Sequence, residues 1–97
     1  MFNFNLGNPA VARSLVALAT GLGFQASPYY KGSQLAVYRQ DWSVMVDLDN
    51  LYISVSDPLG GQALKICQDV HEVEDKYLNL IHAIVFNGQV CLAASTL

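Results

Sequence analysis

Charge is what this 97-residue chain has least of: Asp, Glu, Lys and Arg together make up 13% of it, about half the share of an ordinary soluble domain. Its five cations, Arg13, Lys31, Arg39, Lys65 and Lys76, never stand side by side. Binding to a phosphate backbone needs clustered cations that displace counterions, so no nucleic acid is expected as a partner. The net charge of −3 speaks equally against an anionic membrane surface. Cysteine is also scarce: Cys67 and Cys91 could close one bridge at most, too few for a secreted disulfide scaffold. Free thiols in a cytoplasmic protein are the expectation. No apolar run reaches the roughly 18 residues that span a bilayer. The stretch "VARSLVALATGLGFQAS" imitates a signal peptide, yet Phe24 occupies the small-residue position before a cut at Ala26, and two glycines interrupt the run.

What the chain has in quantity is apolar surface, at 53% hydrophobic residues. This length builds one modest core, so residues 1–97 are expected to form a single domain. The surplus has to go somewhere. Monomers rarely expose a contiguous apolar patch above a few hundred Å², so a homodimer or an obligate complex with a protein partner is expected.

The segment "NPAVARSLVALATGLG" reads as a first helix, with Asn8 as N-cap, Pro9 at the first helical position and Gly21 or Gly23 closing the end. Val11, Leu15, Leu18 and Leu22 form its apolar stripe, with Arg13 and Thr20 off it. Period-two alternation then predicts strands near 24–30, 34–40, 42–48 and 51–56, joined by turns at "KGS", "QD" and "DN". Trp42, Val44, Val46 and Leu48 should face the helix with Leu51, Ile53 and Val55, while Ser43, Met45, Asp47, Tyr52, Ser54 and Ser56 face away.

After "SDPLGG" two readings compete. Either "QALKICQDV" is a fifth strand and a second helix runs from near Glu72 to Phe86, or Asp57 caps one helix from about 59 to 86. The long helix would carry two glycines in its first turn, reach about 40 Å beside strands of about 20 Å, and place Glu74 inside its apolar stripe. The short helix has the stripe Val73, Tyr77, Leu80, Ile81 and Ile84 and leaves Glu74 off it, so strand-then-helix is preferred. The expected fold class is α+β: an N-terminal helix, an antiparallel meander of four to five strands, and a C-terminal helix packed on the sheet. "FNGQVCLAA" suits either a final strand or an apolar tail.

Chemistry-bearing residues concentrate in "CQDVHEVED", which holds a thiol, an imidazole and four carboxylates. Cys67, His71, His82 and Cys91 are spaced C-x3-H-x10-H-x8-C, which is not the spacing of a structural zinc site. "HEVED" lacks the second histidine of H-E-x-x-H. "DLDN" opens like a calcium loop, but Pro58 stands where the bidentate Glu belongs, so it is a turn. No metal is expected. "GLGFQA" follows a helix and precedes strands, the reverse of a dinucleotide-binding turn, and no cofactor is expected. Thiol catalysis needs Cys67 beside His71, which four-residue spacing allows only on a helix; a small buried hydrophobe and a solvated first helical turn account for the two residues more simply. No catalytic residue is assigned, and the chain is read as non-enzymatic.

What remains is a set of tyrosines and a methionine on a sheet face that ought to be polar: Tyr38, Met45 and Tyr52, joined by Tyr30. Such side chains supply contact area at low entropic cost and are enriched in interfaces. Glu72, Glu74 and Asp75 form an acidic rim; if the C-terminal helix instead covers Tyr38, Met45 and Tyr52 as core, the interface moves to the apolar outside of "YLNLIHAIVF". These seven residues are the predicted partner-binding set of an adaptor, chaperone or inhibitor, with a homodimer expected. A small-ligand domain, with a pocket lined by Tyr29, Tyr38 and Tyr52, is the first alternative; a thiol-dependent enzyme using Cys67 and His71 is the second. By order of elements, with "LVALATGLGF" before a meander, the first half of the chain resembles the dimeric chaperones of type III secretion effectors. That resemblance implies a non-enzymatic homodimer holding an extended segment of its partner.

Overall fold

The structure, a computed structural model, describes residues 7–87. Helix α1 (Gly7–Gly21) is followed by strands β1 (Gln25–Ala26), β2 (Gln34–Arg39), β3 (Trp42–Asp47), β4 (Tyr52–Ser56) and β5 (Gln62–Ile66), and by helix α2 (Val70–Asn87). The strands pair in chain order as one antiparallel sheet, so the expected α+β meander with a helix at each end is what forms. The possible final strand in "FNGQVCLAA", and Cys91 with it, lie outside the described residues.

Both helices lie on one face of the sheet. Helix α1 packs over β1 and β2, α2 packs against β4, and the Tyr77 hydroxyl of α2 donates to the Leu15 carbonyl of α1 at 2.9 Å. The reason is on the strands. The covered face carries Leu35, Val37, Val44, Val46, Ile53 and Val55, all at 2% exposure or less, each contributing roughly 1.5–3 kcal/mol when buried. The other face carries Ser43, Ser54, Ser56, Gln34 and Gln62 among its apolar residues, and a helix laid over those would strip water from hydroxyls and amides.

Helix α2 buries Val73, Tyr77, Leu80, Ile81 and Ile84, the stripe read from the sequence, and leaves Glu74 half-buried beside it. Its start is held by Asp69, whose carboxylate accepts from the Glu72 N–H at 2.8 Å, while the Glu72 carboxylate accepts from the Gln68 N–H at 2.8 Å. This reciprocal arrangement satisfies amides that the helix itself leaves unpaired. Asp69→Ala is expected to cost about 1 kcal/mol in urea unfolding, with the sheet intact by circular dichroism.

Three local expectations are corrected. Asn8 does not cap α1: it lies inside the first turn, and its amide reaches across the fold to donate to the Leu48 carbonyl (3.3 Å) and the Asp49 carboxylate (2.8 Å). The buried line of α1 is Ala12, Leu15 and Ala19, with Val11, Leu18 and Leu22 only flanking it, because small residues let the helix approach the sheet. The strand expected over 24–30 is just Gln25–Ala26, extended by one ladder bond from the Ser27 N–H to the Ala36 carbonyl. Pro28 follows, with its φ fixed by the ring, and the chain leaves the sheet edge there.

The β4–β5 connection explains why "SDPLGG" does not begin a helix. The Asp57 carboxylate accepts from the Leu59 and Gly61 N–H groups, and the Asp57 N–H donates to the Gly61 carbonyl. Asp57 does cap, but it caps a hairpin turn. Gly60 sits at φ +90, and a Cβ on Gly61 would come within 2.7 Å of the Asp57 carboxylate, so both glycines are required there.

Candidate functional site

Strand register lays the uncovered sheet face out in three rows. Gln25, Tyr38, Ser43, Ser56 and Gln62 form the first; Ala36, Met45, Ser54 and Leu64 the second; Gln34, Asp47, Tyr52 and Ile66 the third. Tyr38 is diagonal to Met45, Met45 is diagonal to Tyr52, and Tyr52 stands directly beside Ile66. Side chains so placed are within reach of one another across strands. Leu64 and Ile66 are 62% and 63% exposed and Tyr38 is 41% exposed, while Met45 and Tyr52 are half-buried among their neighbours.

Leu64 and Ile66 escaped the sequence reading. Strand β5 has an inverted pattern: Ala63 and Lys65 face the helices and the two large aliphatics face out. Parity was the available signal, since an inward Cys67 forces residues 63 and 65 inward as well. Strand β5 is also the last strand of the sheet, so one of its edges has no strand beside it among the described residues.

The seven predicted residues fall in three places. Tyr38, Met45 and Tyr52 share the uncovered face. Tyr30 lies in the loop between β1 and β2, at the mouth of a cleft against α1. Glu72, Glu74 and Asp75 belong to the helical layer on the other side of the sheet. Glu72 is engaged in the cap, and its carboxylate lies 3.8 Å from the Lys65 ammonium; Asp75 is exposed and Glu74 half-buried. The acidic rim therefore does not border the aromatic face. On the outside of α2, the His82 ring stacks on Phe86 with centroids 5.7 Å apart, and Phe86 is 70% exposed.

Cys67 is buried at 6% exposure, and His71 is exposed. Burial first, and the nearby Glu72 carboxylate second, push the Cys67 thiol up from its ordinary value. A thiol nucleophile needs the opposite, a cation-flanked and accessible sulfur. Tyr29, at 88% exposure, does not converge with Tyr38 and Tyr52, so the pocket expected from those three tyrosines is not formed. A cleft of about 350 Å³ among the described residues involves Tyr30 instead.

Asp47 closes the end of β3 as the turn residue expected of "DLDN". Its Oδ1 accepts from the Asp49 and Asn50 N–H groups, both at 2.9 Å, and its Oδ2 from the Gln34 amide at 2.8 Å and the Asn50 amide at 3.0 Å. Among the described residues, no group of three His, Cys, Asp or Glu is placed to hold a metal ion. No helix of that region is long and apolar enough to cross a membrane. No protein family, curated protein or solved structure matches the chain.

Proposed function

We propose that this chain is a non-enzymatic protein-binding module of the adaptor, chaperone or inhibitor kind, acting as a homodimer built on the uncovered sheet face and the β5 edge. The observation that carries the reading is the outward pair Leu64 and Ile66 on the terminal strand, continuous with Tyr52, Met45 and Tyr38. Two exposed aliphatics on an edge with no strand beside it among the described residues are a liability unless something pairs with it. A second copy fits by symmetry. Antiparallel pairing of β5 with itself about Leu64 sets Gln62 against Ile66 and Ala63 against Lys65, so no two like charges meet. The buried free thiol of Cys67 suits a reducing compartment, and the reading places the protein in the cytoplasm.

The deciding experiment is light scattering on the intact chain and on Leu64→Glu/Ile66→Glu. A dimer mass for the unaltered chain and a monomer mass for the variant, with unchanged circular dichroism, is the expected result. Equal masses for the two would refute the reading. Both sites are exposed, so each substitution should move stability by no more than about 0.5 kcal/mol.

A further inference from the structure

Where β1 ends, the sheet opens a cleft. Pro28 takes the chain away from β2, the loop runs out through Tyr29 and returns at Gly32, and over Gln34 and Leu35 β2 keeps its β3 partner but has no strand on its β1 side among the described residues. The space between that loop and α1 is about 350 Å³, within the range of small-ligand sites. Val16 of α1 and Leu35 of β2 supply apolar wall, Ser27 and Tyr30 supply hydroxyls, and Arg13 and Lys31 supply charge.

The charge distribution singles this place out. The chain is net acidic, yet the cleft draws two of its five cations and none of its eight carboxylates. Neither Arg13 nor Lys31 makes an ion pair among the described residues; the ion pair found there belongs to Lys65 and Glu72. The Ser27 hydroxyl oxygen accepts from the Tyr29 N–H at 3.3 Å, which leaves its own O–H free to donate. Guanidinium, ammonium and hydroxyl donors beside an apolar wall are complementary to an anionic head on an apolar body.

We propose that the cleft between α1 and the β1–β2 loop binds a small amphipathic anion, a carboxylate or phosphate head carried on a body about the size of one aromatic ring. Arg13 and Lys31 hold the head, and Val16 and Leu35 receive the body. The site is separate from the β5 edge, at the opposite end of the strand order, so it stands or falls independently of the dimer.

The test is a titration of the ¹⁵N-labelled intact chain with phenylacetate, phenyl phosphate, inorganic phosphate and benzyl alcohol, followed by amide shifts. Saturable shifts confined to 12–17 and 27–36 are expected with phenylacetate or phenyl phosphate, and the tighter of the two identifies the headgroup. Inorganic phosphate lacks the body and benzyl alcohol lacks the charge, so each should bind at least about tenfold more weakly. Arg13→Gln/Lys31→Gln should weaken the better probe at least about tenfold; both side chains are exposed, so a dispersed spectrum is expected of the variant. Absence of saturable binding by either anionic probe, equal affinity for the variant, or shifts outside the cleft would overturn the proposal.

Discussion

Tyr77→Ala is expected to cost about 3–5 kcal/mol in chemical unfolding, the largest loss of any single substitution considered, whereas Tyr77→Phe should cost only about 1 kcal/mol. The ring is fully buried at the centre of the α2 stripe, and it is the largest of the fully buried side chains. Removing it leaves a cavity that close-packed neighbours fill only in part. The hydroxyl is a different matter. It makes one neutral hydrogen bond, to the Leu15 carbonyl, and that carbonyl lies within α1, where the helical ladder also uses it. Burial pushes the phenol well above its ordinary range, so it stays protonated and donates across the whole working pH range. A domain of this size has roughly 5–15 kcal/mol in total. The Ala variant should therefore lose a large part of its unfolding midpoint while the Phe variant keeps most of it. Equal losses in the two would show that the bond between helices, rather than the ring, holds the layer together.

The same residue shows why the helices were readable from the chain. Val73, Tyr77, Leu80, Ile81 and Ile84 recur at helical spacing, and only a helix beginning after residue 69 leaves Glu74 off that stripe. Strands β3 and β4 were equally plain, because Val44, Val46, Ile53 and Val55 alternate with Ser43, Met45, Ser54 and Ser56. What periodicity could not show was which face α2 would choose. The serines and glutamines of the outer rows were the signal, since burying them costs what burying valine returns. The short β1 was written in Pro28, whose ring-fixed φ departs from that of an extended strand whatever the alternation around it suggests.

Contacts distant along the chain were the least legible. Asn8 looks like a cap because caps are local, yet its partners are Leu48 and Asp49, which only the fold brings near. The candidate surface was half visible for a related reason. Tyr38, Met45 and Tyr52 stand out by residue type, but Leu64 and Ile66 belong to the surface only once the parity of β5 is fixed. The cleft at Arg13 and Lys31 gave no sign at all, being made by a helix and a loop that only the fold brings together.

Asp47→Asn is the second substitution with a large expected effect, on the order of 2 kcal/mol at neutral pH, and it carries a pH signature that a packing defect lacks. Asp47 is 3% exposed. Burial by itself would raise its pKa, but the Gln34 side chain, the Asn50 backbone and side chain and the Asp49 backbone all donate to the carboxylate and lower it from the ordinary 3.8 to about 2. The folded state thus holds the proton less tightly than the unfolded chain, and stability rises with pH between these two values. Converted by the usual linkage constant, the difference amounts to roughly 2 kcal/mol, fully present above about pH 4 and lost as the pH falls toward 2. An asparagine keeps one carbonyl oxygen but turns an N–H₂ toward the donors that the second carboxylate oxygen had satisfied. Gln34 and Asn50 then face a donor instead of an acceptor, and the β3–β4 turn loosens where Asn8 also anchors α1. Urea unfolding of both proteins from pH 7 down to pH 2 should show a gap that narrows steadily below pH 4. A gap that stays constant with pH would mean that the carboxylate is ordinary in the folded protein and that the loss comes from turn geometry alone.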